Sequence, residues 1–243
     1  QLAEAGKRIV FSRLDLDKTL ARLKASHATL EQELESALAR DARNRSVLAR
    51  SRRELDAFTP GHGKGGNRAQ GVALRNVLEA RQRAALAWVE SSRFETEVVS
   101  ALIAINRSSS TYWEQRYTAV TGTDADKRRT ILAEFRKNLE RLKPWLEFAQ
   151  HQVEMYQAAE REQKSRLAAI TGRGPLRVAE MDLLAAKRLQ RELAERQKTA
   201  VEQAAAERRA WLEDMERIRR TRTVIDRTRD LLGGFPNLFR SIW

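Results

Sequence analysis

Apolar residues along this chain recur every three and four positions, stretch after stretch, and each stretch stops at glycine or proline. Stepping 3, 4, 3, 4 from Leu132 passes Phe135, Leu139, Leu142, Leu146, Ala149, Val153, Tyr156, Glu160, Gln163, Leu167 and Ile170. Ten of these twelve positions are apolar or aromatic, so the seam is sustained rather than accidental. A mean spacing of 3.5 keeps one stripe facing a neighbour only when helices supercoil left-handedly. Toward the C-terminus, Leu189, Leu193, Ala200, Ala204, Trp211, Met215, Ile218, Ile225 and Leu232 share a second frame, and small Ala200 and Ala204 leave room for a close neighbour. The N-terminal part carries Leu16, Leu20, Leu23, His27, Leu30, Leu34 and Ala37, weakens at Asp41 and Asn44, and resumes at Leu48 and Leu55. Between these, Leu74, Leu78, Ala85, Trp88, Val99 and Leu102 form the least regular frame. Residues 98–105 are apolar on most sides, which predicts more than one neighbour over them.

Glycine and proline punctuate this pattern. They gather at Pro60-Gly61-His62-Gly63-Lys64-Gly65-Gly66 with Gly71, at Gly122, at Gly172-Arg173-Gly174-Pro175, and at Gly233-Gly234 with Pro236. The spacing predicts four helices over about 1–58, 71–121, 124–171 and 175–232. Thr123 or Asp124 is placed to cap the third by accepting from its free N–H groups. Pro175 suits a first helical turn, and Gly172 and Gly233 suit helix C-termini. Ser108-Ser109-Ser110 is a candidate break in the second helix, and Pro144 a candidate kink in the third. Short connections force consecutive helices antiparallel. The predicted class is all-α: long antiparallel hairpins in a coiled-coil or elongated four-helix arrangement. One hairpin covers 1–121 with its turn near 59–70, and another covers 122–232 with its turn near 172–175. Residues 233–243 form an amphipathic aromatic segment. Polar Asp41, Asn44, Glu160 and Gln163 interrupt the seams, which favours partial splaying of the hairpins or contacts to other chains.

Composition agrees with narrow seams on polar helices: 42% of residues are hydrophobic, only 6% aromatic, and 33% charged. That hydrophobic share is too large for a disordered chain. The net charge of +13 suits an anionic partner such as nucleic acid, a lipid surface or a cell-wall polymer. Solvated outer helix faces account for it equally well. Cysteine is absent, which excludes disulfides, thiolate metal sites and a cysteine nucleophile.

Residue spacing bears on other chemistry too. His27, His62 and His151 have no second histidine at i+3 or i+4, so none starts a helical metal pair. His27 reads as a packed seam residue. The Gly61–Gly66 loop fails the phosphate-loop pattern, because Lys64 is followed by glycine and the preceding element is a helix. Its N–H groups with Lys64 and Arg68 could still hold an anion, though a hairpin tip is the simpler reading. No Ser-His-Asp or G-x-S-x-G pattern occurs. The expectation is a non-catalytic chain with no cofactor and no metal. The densest cationic run is Arg217, Arg219, Arg220, Arg222, Arg227 and Arg229. Asp226 and Asp230 dilute it, so a solvated face is preferred there to a nucleic-acid contact.

The last residues differ in kind. Phe235, Pro236, Leu238, Phe239, Ile242 and Trp243 surround Arg240, a composition suited to a membrane interface. Folding back onto the bundle is the other reading. The run Asp226-Arg227-Thr228-Arg229-Asp230-Leu231-Leu232, followed by Phe235-Pro236, Phe239 and Trp243, resembles the extramembrane N-terminal region of large channels in the small-conductance mechanosensitive (MscS) family. The resemblance covers about the last twenty residues; the rest matches in character only. It implies a domain on the periplasmic side of a bacterial inner membrane, continuous with a membrane-spanning channel domain of the same polypeptide whose pore is a heptamer. It further implies a role in assembly, tethering or modulation of gating, with anionic lipid or cell wall as contacts. Two rival readings stand beside it: a soluble coiled-coil scaffold of the cell envelope, and a basic coiled coil that binds nucleic acid.

Overall fold

A computed structural model describes the backbone of residues 12–58, 67–122, 125–171 and 174–233, with side chains over 12–58, 70–122, 125–171 and 174–217. Four helices make up almost all of it: α1 (Arg13–Asp56), α2 (Asn67–Thr121), α3 (Ala125–Ala169) and α4 (Pro175–Gly233). The fold is all-α, as the spacing predicts.

The first helix begins at Arg13, for a local reason. Ser12 Oγ accepts from the Asp15 N–H at 3.1 Å, and the Asp15 carboxylate accepts from Ser12 N–H at 3.3 Å and from its hydroxyl at 2.6 Å. This reciprocal cap satisfies donors that a helix start leaves open. The Ser12 hydrogen bonds also hold the Asp15 carboxyl below the usual carboxylate range. The expected extension over 1–11 lies outside the described residues. Helix α2 starts at Asn67, four residues earlier than the glycine pattern suggests. Contrary to the break expected at Ser108–Ser110, α2 runs unbroken to Thr121. Serine costs a helix only a few tenths of a kcal/mol per residue, and Ser109 is buried against the bundle, so packing outweighs propensity. Helix α3 likewise continues through Pro144. Pro175 opens α4 as predicted.

Two connections close with the same device. Arg128 in the first turn of α3 donates to the Gly122 carbonyl at 2.7 Å, at the end of α2. Arg177 in the first turn of α4 donates to the Ile170 carbonyl at 2.9 Å, just past α3. Carbonyls at helix C-termini lack intrahelical partners, and a cation also complements the negative end of the helix dipole. Caps at Thr123, Asp124 and Gly172, and the whole Gly61–Gly66 loop, lie outside the described residues.

Spatial contacts collect into two compact units, each drawing on both hairpins. One comprises Gln1–Arg22, Ser109–Leu142 and Gln203–Trp243; the other comprises Leu23–Ser108 and Lys143–Glu202. In the second unit all four helices share one core. Leu30 of α1, Phe94, Val98, Val99, Leu102 and Ile103 of α2, Val153 of α3, and Leu193 and Ala194 of α4 are buried together. The apolar run of α2 is covered from several sides, as its composition predicts. Arg83 meets Glu180 and Glu90 meets Lys187, so α2 and α4 advance in the same direction and run parallel. Small residues let them approach closely: Ala84 and Ala87 pack with Leu183 and Ala186. The single Ser91 hydroxyl proton lies between the Ala87 carbonyl at 2.7 Å and the Ala186 carbonyl at 3.1 Å.

The first unit is aromatic. Tyr112 of α2, Phe135 of α3 and Trp211 of α4 form a triangle with ring centroids 5.1, 5.0 and 6.4 Å apart. Edge-on and tilted pairs of this kind add to simple area burial. Ala119, Ile131 and Leu212 complete the cluster, with Trp113, Leu132, Leu139 and Met215 packed on its margin.

Candidate functional site: charged layers between the helices

The seam positions that are polar in sequence prove to be junctions. Glu160, expected to loosen the hairpin, is buried with a side chain only 7% exposed. Lys164, one turn along α3, pairs with it at 2.7 Å. From α4, Arg188 Nε donates to it at 3.3 Å. Arg191 Nε lies 2.7 Å from its other oxygen. Arg191 also donates from Nη1 to Glu195 at 2.9 Å. The Lys164 hydrogen bond, aided by the nearby cationic charge, holds the Glu160 carboxyl below the usual carboxylate range even against desolvation. Through Glu195 first and Glu160 second, the same network raises the Arg191 guanidinium above its usual value.

Gln163, one turn further, is buried and reaches α4. Its amide donates to the Glu180 carboxylate at 2.7 Å and to the Glu180 carbonyl at 3.2 Å. The other oxygen of Glu180 accepts from Arg83 of α2 at 2.7 Å. One buried carboxylate therefore joins three helices. On the other side of α2, Asn44 of α1 donates to the Trp88 carbonyl at 3.1 Å, and Ser92 donates toward Asp41 at 3.3 Å. Arg40 grips Glu95 with two parallel bonds at 3.0 and 2.7 Å. Arg196 of α4 meets Glu33 of α1 at 2.8 Å. The reason splaying does not follow is physical: a buried polar group costs free energy only while unpaired. Here each of the four interrupting residues finds a partner on a neighbouring helix.

In the aromatic unit the charges are arranged differently. Arg208 is 3% exposed, stacks with its guanidinium 5.2 Å from the Tyr112 ring centre, and donates to the Ala204 carbonyl at 2.8 Å. Burial lowers its basicity, and burial raises the Tyr112 hydroxyl. Arg116 lies 4.5 Å from the Trp113 ring and Arg13 lies 5.9 Å from that of Tyr117. Such cation–aromatic contacts stabilise by about 0.5–2 kcal/mol according to how dry they are.

The residues singled out for function fare unevenly. Arg217 is exposed on α4. Arg219, Arg220, Arg222, Arg227 and Arg229 belong to the same unbroken helix, and their side chains lie outside the described residues, as does the segment Phe235–Trp243. His27 sits on the α1 seam with Nε2 3.2 Å from Glu31. His151 is exposed on α3. Among the described residues no group of three or more His, Asp or Glu converges on a metal-sized site. Among the same residues no helix is long and apolar enough to cross a membrane.

Sequence reasoning missed one surface. Trp145, Phe148 and Met155 of α3 remain 48%, 57% and 47% exposed, although the helix already buries Ala149 and Val153 on its inner seam. A second set of 3- and 4-residue steps, 145, 148, 152, 155, 159, was legible and runs beside the first. Comparison with protein-family models, curated proteins and solved structures gives no match for this chain.

Proposed function

We propose that this chain is a non-catalytic helical domain on the periplasmic side of an MscS-like mechanosensitive channel, where it serves assembly, tethering or modulation of gating. The observation that carries the reading is the C-terminal run from Asp226 to Trp243, with its arginine–aspartate alternation followed by Phe235, Pro236, Phe239 and Trp243. Two structural features support it. Helix α4 is a single helix from Pro175 to Gly233, so the packed aromatic cluster around Trp211 is covalently continuous with that run. The buried carboxylates Glu160 and Glu180 are taken up by arginine and glutamine partners on neighbouring helices, an arrangement suited to fixing helix register.

The gene sequence beyond Trp243 is the test. This reading expects a glycine- and alanine-rich helix of pore type within a few hundred residues. A reading frame that stops near Trp243 with no membrane helix would overturn it and favour the envelope-scaffold alternative.

A further inference from the structure

Charge in the second unit is sorted along its length. Helices α2 and α4 both start at one end of it, since they run parallel. Helices α1 and α3 both finish there, since α1 runs antiparallel to α2 and α3 antiparallel to α4. Over the described side chains of 40–83 and 160–191, which form that end, lysine and arginine number sixteen against eight aspartates and glutamates. Over the remainder of the unit they number six against eleven. Evenly solvated faces would share the cations between both ends, whereas this sorting focuses a positive potential on one. Arg45, Arg50 and Arg75 pair only with carboxylates one turn away on their own helix, and exposed pairs of that kind bind weakly. Exposed Arg52, Arg53 and Arg81 meet no carboxylate among the described residues.

Register gives that end its shape. Arg83 of α2 stands level with Glu180 of α4. From there α4 reaches back only to Pro175, while α2 reaches back to Asn67. At 1.5 Å per residue, α2 projects about 16 Å past the start of α4. The pairs Asn44–Trp88 and Asp41–Ser92 place the end of α1 level with about residue 76 of α2, and Arg52 level with Arg81. The first turns of α2 have no described helix alongside them, and Val72 and Leu74 are 57% and 50% exposed there. We propose that this end of the second unit docks on an anionic phospholipid surface. Guanidinium groups grip phosphate oxygens two at a time, and the aliphatic side chains decide which phosphates. A nucleic acid would engage the arginines and leave Val72 and Leu74 in water, and no exposed aromatic side chain is described at this end to stack on a base. A membrane interface takes up both: arginine pairs with headgroups while valine and leucine enter the acyl boundary. The inference rests on charge placement and not on the channel reading, so a missing pore helix would leave it standing.

The test uses the full chain carrying Phe239→Glu and Trp243→Glu, so that the C-terminal aromatics do not contribute. At about 0.1 M salt it should float with vesicles of phosphatidylglycerol in phosphatidylcholine and not with phosphatidylcholine alone. Adding Arg52→Glu with Arg81→Glu should lower the bound-to-free ratio at least about tenfold, since each cation at an anionic surface contributes severalfold. Lys137→Glu with Arg141→Glu, exposed on α3 in the first unit, changes the net charge equally and should lower the ratio less than about threefold. Both variants should keep their helical circular dichroism. Without the charge reversals, a polarity-sensitive dye on Leu74→Cys should shift to the blue with the anionic vesicles and one on Lys137→Cys should not; no native cysteine competes. The proposal is overturned if nothing binds, if neutral vesicles bind as well as anionic ones, if the two charge reversals weaken binding alike, or if the Leu74 dye stays in water. Tighter binding per phosphate to a duplex of about 30 base pairs than to the anionic vesicles assigns this end to nucleic acid and overturns it as well.

Discussion

Glycine at 122 and glycine at 71 look alike in sequence and differ in what surrounds them. A Cβ at Gly122 would sit 2.7 Å from the Thr118 carbonyl oxygen, whereas one at Gly71 would meet nothing within 4 Å. Gly122→Ala should therefore destabilise the chain by about 1 kcal/mol or more, while Gly71→Ala, inside α2, should stabilise it by about 0.5–1 kcal/mol. Urea unfolding followed by circular dichroism separates the two signs. Glu160 carries a pH signature of its own. Its folded carboxyl titrates below the ordinary 4.5, because Lys164 and the α4 arginines favour the ionised form. Its contribution is complete above about pH 4.5 and is lost as pH falls through the lower folded value. Lys164 and Arg188 are each 52% exposed, so solvent screens the pairing and the contribution is on the order of 1 kcal/mol. Glu160→Gln should lose that amount at pH 7 and show a smaller further loss between pH 5 and pH 3. Equal acid sensitivity in variant and parent would contradict this assignment.

At the scale of helices, a seam says that a face is covered but not by what. The frames through Leu30, Phe135, Ala149 and Val153 mark buried residues, so the α1 and α3 sides of the core are legible as periodicity, whereas the α4 frame holds Leu193, Ala204 and Trp211 but misses Leu183, Leu184, Ala194, Val201 and Leu212. The frame drawn through α2 was less faithful. It included Leu74, which is 50% exposed, and passed over Ala84, Ala87 and Ser91, which are buried. Small residues carry little hydrophobic signal, yet they are what allows α2 and α4 to touch. Parallel contact between helices of different hairpins is also invisible to a rule that pairs neighbours in sequence. Ser91→Leu should overpack this contact and cost about 1–3 kcal/mol in thermal unfolding, whereas the same change at exposed Ser100 should cost under about 0.5 kcal/mol. In the aromatic unit, Phe135→Ala should cost about 3–5 kcal/mol, since Phe135 is 1% exposed and touches two rings. The polar junctions were visible as interruptions and misjudged as weak points, because a sequence shows a buried polar residue without its partner. The reciprocal cap Ser12–Asp15 is written in the sequence, but the apolar period continues past it toward residue 1 and hides the helix start.

For the whole chain, the proposed membrane partner rests on the C-terminal sequence and the frame rests on the helices. A membrane-interface role for Phe239 and Trp243 predicts that the full chain floats with lipid vesicles and that Phe239→Glu with Trp243→Glu reduces the bound fraction severalfold. Retention of binding in high salt would assign it to the aromatics rather than to the +13 charge, because electrostatic attraction is screened within about 10 Å at 0.1 M salt. Helices that alternate in direction bring α2 and α4 together in parallel, with the buried Glu180 carboxylate between them. The bond from Arg83 to Glu180 reports on it most directly, since it joins residues 97 apart in sequence. A double-mutant cycle with Arg83→Glu, Glu180→Arg and the charge-swapped pair, read by urea unfolding, measures their coupling. Each single change should destabilise and the swap should recover about 1 kcal/mol; effects that add within about 0.3 kcal/mol are incompatible with a direct α2–α4 contact at these residues.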